Sequence, residues 1–386
     1  MKRMQGWTIV ILALLSMGAG PVWYEPAAMT GEAIERAISD AYKDPRGRVF
    51  LPGGTYRITK TINLHGLGPM LIEGATEGTI FRESNHPSSA ILEWHGPPGQ
   101  PMIRLNTLGV TFRNMMLAGR GIASHGILLT NSPTVGSGLN RLEDVCLDGF
   151  TTACFQAGEA PREGNCADSF FDRVMFLHAP NGFLAINEQS VNNQFMGCQF
   201  GWLECALNIE RGGALTMIGG GAAFSDLFLK VVHRGHNTGA IHIGPIRIEN
   251  AGYKNRYMSL VDARPTEGTD HDVDYGLITF QSVWTAGGAL PDVPDNVETP
   301  LFRLGPGAVV VCEGCEFKQL GDRGQWPIAY VQGAKDIGNA ILRSRETYWM
   351  GDTKNIVVNE FGKVELLAPL SSNGIETPTV IRGLAP

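Results

Sequence analysis

The side chains best suited to chemistry in this sequence cluster between residues 208 and 303. Glu210 and Asp262 are a candidate pair of catalytic carboxylates, and Lys230 and Arg234 are candidate catalytic cations between them. Asn208, Arg211, His233, Arg264 and Arg303 stand beside them as candidate substrate-binding groups, with Ser259 and His236 close by. Two reaction types use such a set. Glycoside hydrolysis needs two carboxyl groups, and in the inverting form they stand far enough apart to admit a water. If the segments carrying Glu210, Lys230 and Asp262 stack as successive strands, the two acids are two rungs, about 10 Å, apart, close to that geometry. Elimination instead needs a cation to neutralise a uronate carboxylate and a base to remove the C5 proton. Lys230, Arg234, Arg211 or His233 suit those roles where packing moves a pKa toward the working pH. The positive members favour an acidic substrate. For any one of these residues the alternative is a solvated sheet face carrying a ladder of Glu210, Lys230 and Asp262.

Such a ladder requires elements that repeat, and the sequence repeats. A six-residue unit (apolar, any, turn-former, apolar, any, apolar) begins at Phe112, Leu142, Phe171, Phe195, Met217, Ile248, Phe280, Cys312 and Leu342, at spacings of 30, 29, 24, 22, 31, 32, 32 and 30 residues. Spacings of this size indicate a solenoid. The first position is apolar in all nine units, and the third is Asn, Asp, Gly or Ser in all but the unit with Arg173. Such third residues tolerate a left-handed backbone, so each unit is a strand turning a corner into a second strand. Cys198 and Cys315 fall at the fourth position and Cys312 at the first, so they belong to the core rather than to a metal site. A third strand per coil is expected between units, including Ala206–Glu210, Leu227–Val231, Tyr257–Asp262, Leu301–Gly305 and Ile328–Val331. Arg345 at the fourth position of the last unit suggests that the core frays there. Column-two acids Glu143 and Asp172 are expected on a solvated face. The fold class is therefore all-β, a single parallel β-helix, with a helix at about residues 30–43 capping the first coil and Thr30 as its N-cap.

The segment Arg48-Val-Phe-Leu-Pro-Gly-Gly-Thr-Tyr-Arg-Ile58, preceded by Ala33-Ile-Glu-Arg-Ala-Ile38 and followed by Ile62-Asn-Leu64 and Leu71-Ile-Glu-Gly-Ala75, resembles the opening of the pectate-lyase-like right-handed β-helix superfamily. The pattern extends more loosely over most of residues 30–365. The resemblance implies a right-handed coil and a carbohydrate ligand in a groove along one sheet, because that superfamily contains polysaccharide lyases, hydrolases, uronate epimerases and phage tailspikes. Neither the aspartate cluster of polygalacturonases nor the arginine motif of pectate lyases is present. A polysaccharide lyase or glycoside hydrolase is expected, with a non-catalytic glycan-binding, adhesion or phage-derived receptor-binding β-helix as the rival.

Composition and termini bound the rest. The chain has 386 residues, a net charge of −7 and 49 glycines, a glycine share well above the usual roughly 7%. Only 18% of residues are charged and 43% are hydrophobic, which excludes long disorder, and the acidity excludes a nucleic-acid partner. Lys2 and Arg3 precede a 13-residue apolar run from Trp7 to Ala19, as in a signal peptide over residues 1–28, with cleavage near Gly20 or Ala28. The β-helix domain is expected over 29–386, with coils over about 48–365 and a tail over 366–386. Export implies a secreted, periplasmic or cell-surface protein, with membrane contact only through an uncleaved leader; monomer and trimer both stay open. Seven cysteines permit a disulfide such as Cys154–Cys166. No cofactor is expected except through Asp270-His-Asp-Val-Asp274, whose alternating carboxylates suit calcium but lack the glycine and distal glutamate of an EF-hand loop. Trp94, Trp202, Trp284 and Trp326 are candidates for stacking on sugars.

Overall fold

The computed structural model describes residues 20–66, 68–75, 89–130, 136–159, 164–232, 239–265, 276–286, 298–318, 327–336, 338–350, 355–367 and 379–382. They form a single right-handed parallel β-helix with one capping helix. Its strands build three faces. Sheet A runs from Val22–Tyr24 to Gly362–Leu367, sheet B from Gly54–Ile58 to Tyr348–Met350, and sheet C from Ile62–His65 to Thr379–Arg382. Pairing is parallel from rung to rung on each face, so residues in one column repeat about every 4.8 Å. Helix α1 (Gly31–Tyr42) covers the open first coil; the Thr30 hydroxyl accepts from the Ala33 N–H at 3.3 Å, and Ile34, Ala37, Ile38 and Ala41 bury its apolar stripe.

In eight coils the corner between sheets A and B turns on a residue in the left-handed backbone region: Asn114, Asp144, Arg173, Gly197, Gly219 (followed by Gly220, also left-handed), Ser282, Gly314 and Glu346, with φ from 49° to 71° for these eight. Arg173, the apparent exception in the sequence, adopts the same conformation and is held by a two-pronged pair with Asp144 at 2.7 and 2.8 Å. Two units shift from their expected places. Met217 pairs with Ile243 and Ile243 with Phe280, so the corner of that coil is Gly244–Pro245 rather than Asn250. Cys312 pairs with Ser344 and Phe317 with Trp349, so the last unit begins at Ser344, two residues later than Leu342. Arg345 is then exposed, Thr347 takes the buried fourth position, and the core does not fray there. After the corner, Cys198, Cys315 and Thr347 donate to the carbonyls of Phe171, Phe280 and Cys312, the first-position residues one coil back, each at 3.4 Å.

Other expectations need correction. Val22–Tyr24, placed in the leader by the sequence, is a strand of sheet A paired with Gly47–Val49, so cleavage after Ala28 would remove a rung. Coils continue past residue 365, because Thr379–Arg382 pairs with Asn355–Val358. All seven cysteines, Cys154 and Cys166 among them, are buried free thiols. Trp94 is fully buried, Trp202 and Trp284 are exposed, and Trp326 lies outside the described residues.

Aromatic stacks run along the core. Phe171 and Phe195 lie 4.6 Å apart and nearly parallel, and Phe176 and Phe200 lie 4.7 Å apart. Phe195 and Phe280 are both fully buried. Replacing either by Ala leaves a cavity between rungs and is expected to cost ~3–5 kcal/mol. Denaturant or thermal midpoints read the effect, with Phe195→Ala the larger loss because its ring is stacked on one neighbour and edge-on to Phe183 at 5.2 Å.

Candidate functional site

On sheet C the alternation of side chains separates core from surface. Leu207, Leu229, Val261, Phe302 and Ala329 point inward, as do Ile209, Val231, Ala263, Leu304 and Val331 two residues on. The outward column between them reads Gln156, Leu184, Asn208, Lys230, Asp262, Arg303 and Tyr330, one residue per rung. Four expected site residues, Asn208, Lys230, Asp262 and Arg303, therefore stand in line on adjacent rungs.

Glu210 does not join them. The strand ends at Ile209, and Glu210 lies at the exposed start of the turn to sheet A, where its N–H donates to the Ala185 carbonyl at 2.9 Å. It is two rungs and two residues from Asp262, about 12 Å at the backbone, further than the two rungs that the sequence ladder expects. The ladder of Glu210, Lys230 and Asp262 is thus replaced by Asn208, Lys230 and Asp262. Arg211 faces Glu188 in an ion pair at 2.9 Å, away from the column. His233, Arg234 and His236 lie outside the described residues, as does the Asp270–Asp274 loop. Among the described residues no cluster of three or more His, Cys, Asp or Glu is placed to hold a metal.

The column divides into two ends. At the first, Asn208 faces outward yet is only 6% exposed. Its Nδ2 donates to Asn181 Oδ1 at 3.0 Å, and Asn181 Nδ2 donates to the Thr152 carbonyl at 3.0 Å. This relay ends at Asn208 Oδ1, a buried acceptor without a partner among the described residues, one rung from Lys230. Such an atom costs free energy until a donor reaches it. Lys230 itself forms no ion pair among the described residues. Beneath this end Cys205 is a neutral thiol, pushed up to about 12 by burial.

At the other end Asp262 accepts two hydrogen bonds from Arg264, at 2.7 and 2.6 Å. Arg303 donates to the Glu298 carbonyl at 2.6 Å and faces its carboxylate at 3.6 Å. The Tyr330 hydroxyl donates to Glu298 Oε1. Arg264, Glu298, Arg303, Leu304, Tyr330 and Gln332 line a cavity of about 240 Å³ on this face. Burial, then the hydrogen bond to Glu298, pushes Tyr330 up to about 12, so it is a donor throughout the neutral range. Sequence reading missed Asn181, Glu298, Tyr330 and Gln332. Tyr330 could have been found, because it lies on an expected strand, Ile328–Val331, and shares a column with Arg303; Glu298 precedes its strand and carries no period.

Neither a family model nor a curated protein sequence matches this chain. Among solved structures it is similar to the endo-xylogalacturonan hydrolase of Aspergillus tubingensis, at 12% identity and a TM-score of 0.44, covering 95% of this chain and all of that one. It is also similar to the A-module of a mannuronan C-5 epimerase of Azotobacter vinelandii, at 12% identity and a TM-score of 0.38, covering 94% of this chain and all of that one. A third similar structure is the ORF18 protein of Geobacillus virus E2, at 11% identity and a TM-score of 0.36 over 93% of this chain; the chain spans 59% of that protein's length. The likeness is one of fold, and the rung register above establishes that fold independently.

The Tyr330 environment can be tested by titration. The difference in tyrosinate absorbance between the protein and Tyr330→Phe is expected to show a midpoint near 12 rather than the ordinary 10.0, and Glu298→Gln is expected to lower it. Because the folded-state pKa is raised, the stability linked to Tyr330 is intact below pH 10.0 and is lost as the pH rises toward 12.

Proposed function

We propose that this is an exported carbohydrate-active protein whose sheet C binds a uronate-containing polysaccharide, and that elimination, rather than hydrolysis, is its chemistry. The observation that carries the reading is Lys230: a cation without an ion-pair partner among the described residues, between an unpartnered amide oxygen and a carboxylate already held by Arg264. A uronate carboxylate placed against Lys230 replaces lost solvation with a charge-assisted bond, and a sugar hydroxyl can satisfy Asn208 Oδ1. Neutralising that carboxylate is what acidifies the neighbouring C–H for abstraction.

Hydrolysis fits the same residues less well. Both carboxylate oxygens of Asp262 are engaged by Arg264, and Glu210 is out of register. Tyr330, protonated and hydrogen-bonded to Glu298, stands three rungs, about 14 Å, from Lys230 and suits contact with a neighbouring sugar of the chain. Arg303 supports substrate binding at the same cavity, and His233 and Arg234 remain candidates for the base. The basic start and the apolar run of residues 7–19 support export; no helix among the described residues is long and apolar enough to cross a membrane.

A panel of acidic and neutral polysaccharides tests the reading, with absorbance near 235 nm for unsaturated uronates (about that value, the product of C5 proton abstraction) and reducing ends for hydrolysis. Elimination is expected on an acidic polymer. Lys230→Ala is expected to lower kcat/KM at least ~100-fold while Glu210→Gln leaves it nearly unchanged. Reducing ends without unsaturation, lost in Glu210→Gln, would establish hydrolysis instead. Saturable binding with neither product, weakened by Lys230→Ala, would make the chain a glycan-binding module.

A further inference from the structure

A second, larger cavity opens on a different face and belongs to no part of the sheet C site. It measures about 630 Å³ and lies on sheet A near the capped end of the coil. Its lining draws on the first residues of the described chain, Gly20 and Pro21, and on four rungs of sheet A beyond them. Four guanidinium groups face it, from Arg46, Arg48, Arg113 and Arg141, against one lining carboxylate, Glu143. In a protein with a net charge of −7 this is a local inversion of sign.

The arginines are oriented by their neighbours. Arg141 lies over the Phe170 ring at 4.4 Å and reaches Glu143 at 3.0 Å. Arg113 donates to the same carboxylate from Nε at 2.6 Å and stands 3.9 Å from Glu73. Glu143, expected on a solvated face, is instead only 8% exposed and serves two guanidiniums at once. Arg48 lies over Trp23 at 5.9 Å and forms no ion pair among the described residues, while Arg46 meets Asp44 only at 3.8 Å. Arg48 and Arg141 occupy one outward column, with Leu71 and Thr111 on the rungs between. They are three rungs, about 14 Å, apart, so a ligand that meets both must carry more than one anionic group.

We propose that this cavity is a second saccharide-binding site, specific for a chain bearing several sugar-borne anionic groups, carboxylate or sulfate, with Arg48 and Arg141 as its anchors. Planar guanidiniums held by ring contacts and a shared carboxylate lose little freedom on binding and present paired donors to an oxyanion. The lining is mostly polar and backbone, with small apolar contributions from Pro21, Pro45, Pro69, Met70 and Leu71. Consecutive rungs about 4.8 Å apart suit an extended chain lying along the coil axis. The site would hold a polymer at a distance from sheet C. It does not depend on the reaction proposed there.

Calorimetric titration tests this with two probes, an oligogalacturonate hexamer and a sulfated heparin hexasaccharide, each against a neutral oligosaccharide of equal length. Measurements use Lys230→Ala protein, in which the sheet C cation is removed, and the unmodified chain. Binding of at least one anionic probe is expected in both, and which probe binds identifies carboxylate or sulfate as the recognised group. Arg48→Gln, which disturbs no ion pair among the described residues, is expected to weaken that binding at least ~10-fold with an unchanged melting temperature. Arg141→Gln is expected to act in the same direction, and raising the salt concentration to weaken binding in the unmodified protein more than in Arg48→Gln. Absence of binding by either probe, binding unaffected by Arg48→Gln, or binding abolished by Lys230→Ala would each overturn the proposal. Failure of the elimination assay with retention of Arg48-dependent binding would leave this site standing and remove only the chemistry on sheet C.

Discussion

From Val110 onward each coil leaves sheet A and enters sheet B within one or two residues, and the stacking of those coils depends on that corner. In eight coils the residue lies in the left-handed region, and in five of them it is not glycine. Holding a side chain there costs on the order of 1–2 kcal/mol. Stacking offsets the cost: each corner aligns its coil with the one before, and alignment closes both sheets' hydrogen bonds and places Phe on Phe at 4.6 and 4.7 Å. The thiols and hydroxyl that donate to carbonyls one coil back belong to the same economy of a tight turn, since a bend leaves an acceptor that an apolar side chain could not satisfy.

Once register is fixed at that corner, chemistry is placed by alternation alone. Lys230 faces outward because Leu229 and Val231 face inward, and it stands between Asn208 and Asp262 because their strands are paired residue by residue. The two ends of the column then differ in electrostatic state. Asp262, Arg264, Glu298, Arg303 and Tyr330 are joined in pairs, whereas Lys230 and Asn208 Oδ1 have no such partners among the described residues. A ligand therefore gains most at the first end, where it takes water's place without breaking an existing pair.

The solenoid was legible because column and corner leave separate marks, apolar at one and Asn, Asp, Gly or Ser at the other. Legibility failed where one mark was missing. At Gly244–Pro245 the corner carries proline, and Ile248, the buried sixth position of the same unit, offered a better match to the first position of the pattern. At the last unit Ser344 occupies the core column, so apolar Leu342 drew the frame two residues early. The site was half legible for a similar reason. Period two marks both Asn208 and Glu210 as outward, but nothing in the sequence announces that the strand stops at Ile209. Glu298 acts from irregular chain ahead of its strand, and no periodicity reaches it.

From Phe112 onward the A–B unit is six residues long in each coil, so differences in coil length there are displaced to the other two corners. The corrected first positions are 22 residues apart between Phe195 and Met217 and 37 apart between Ile243 and Phe280, with no change in how either coil stacks. Both permissive corners border sheet C. Insertions are thus steered to the rims of one face, where they can reshape what that face admits while the stacking that holds the fold goes undisturbed. The rigidity of one turn is what leaves the recognition surface free to diversify.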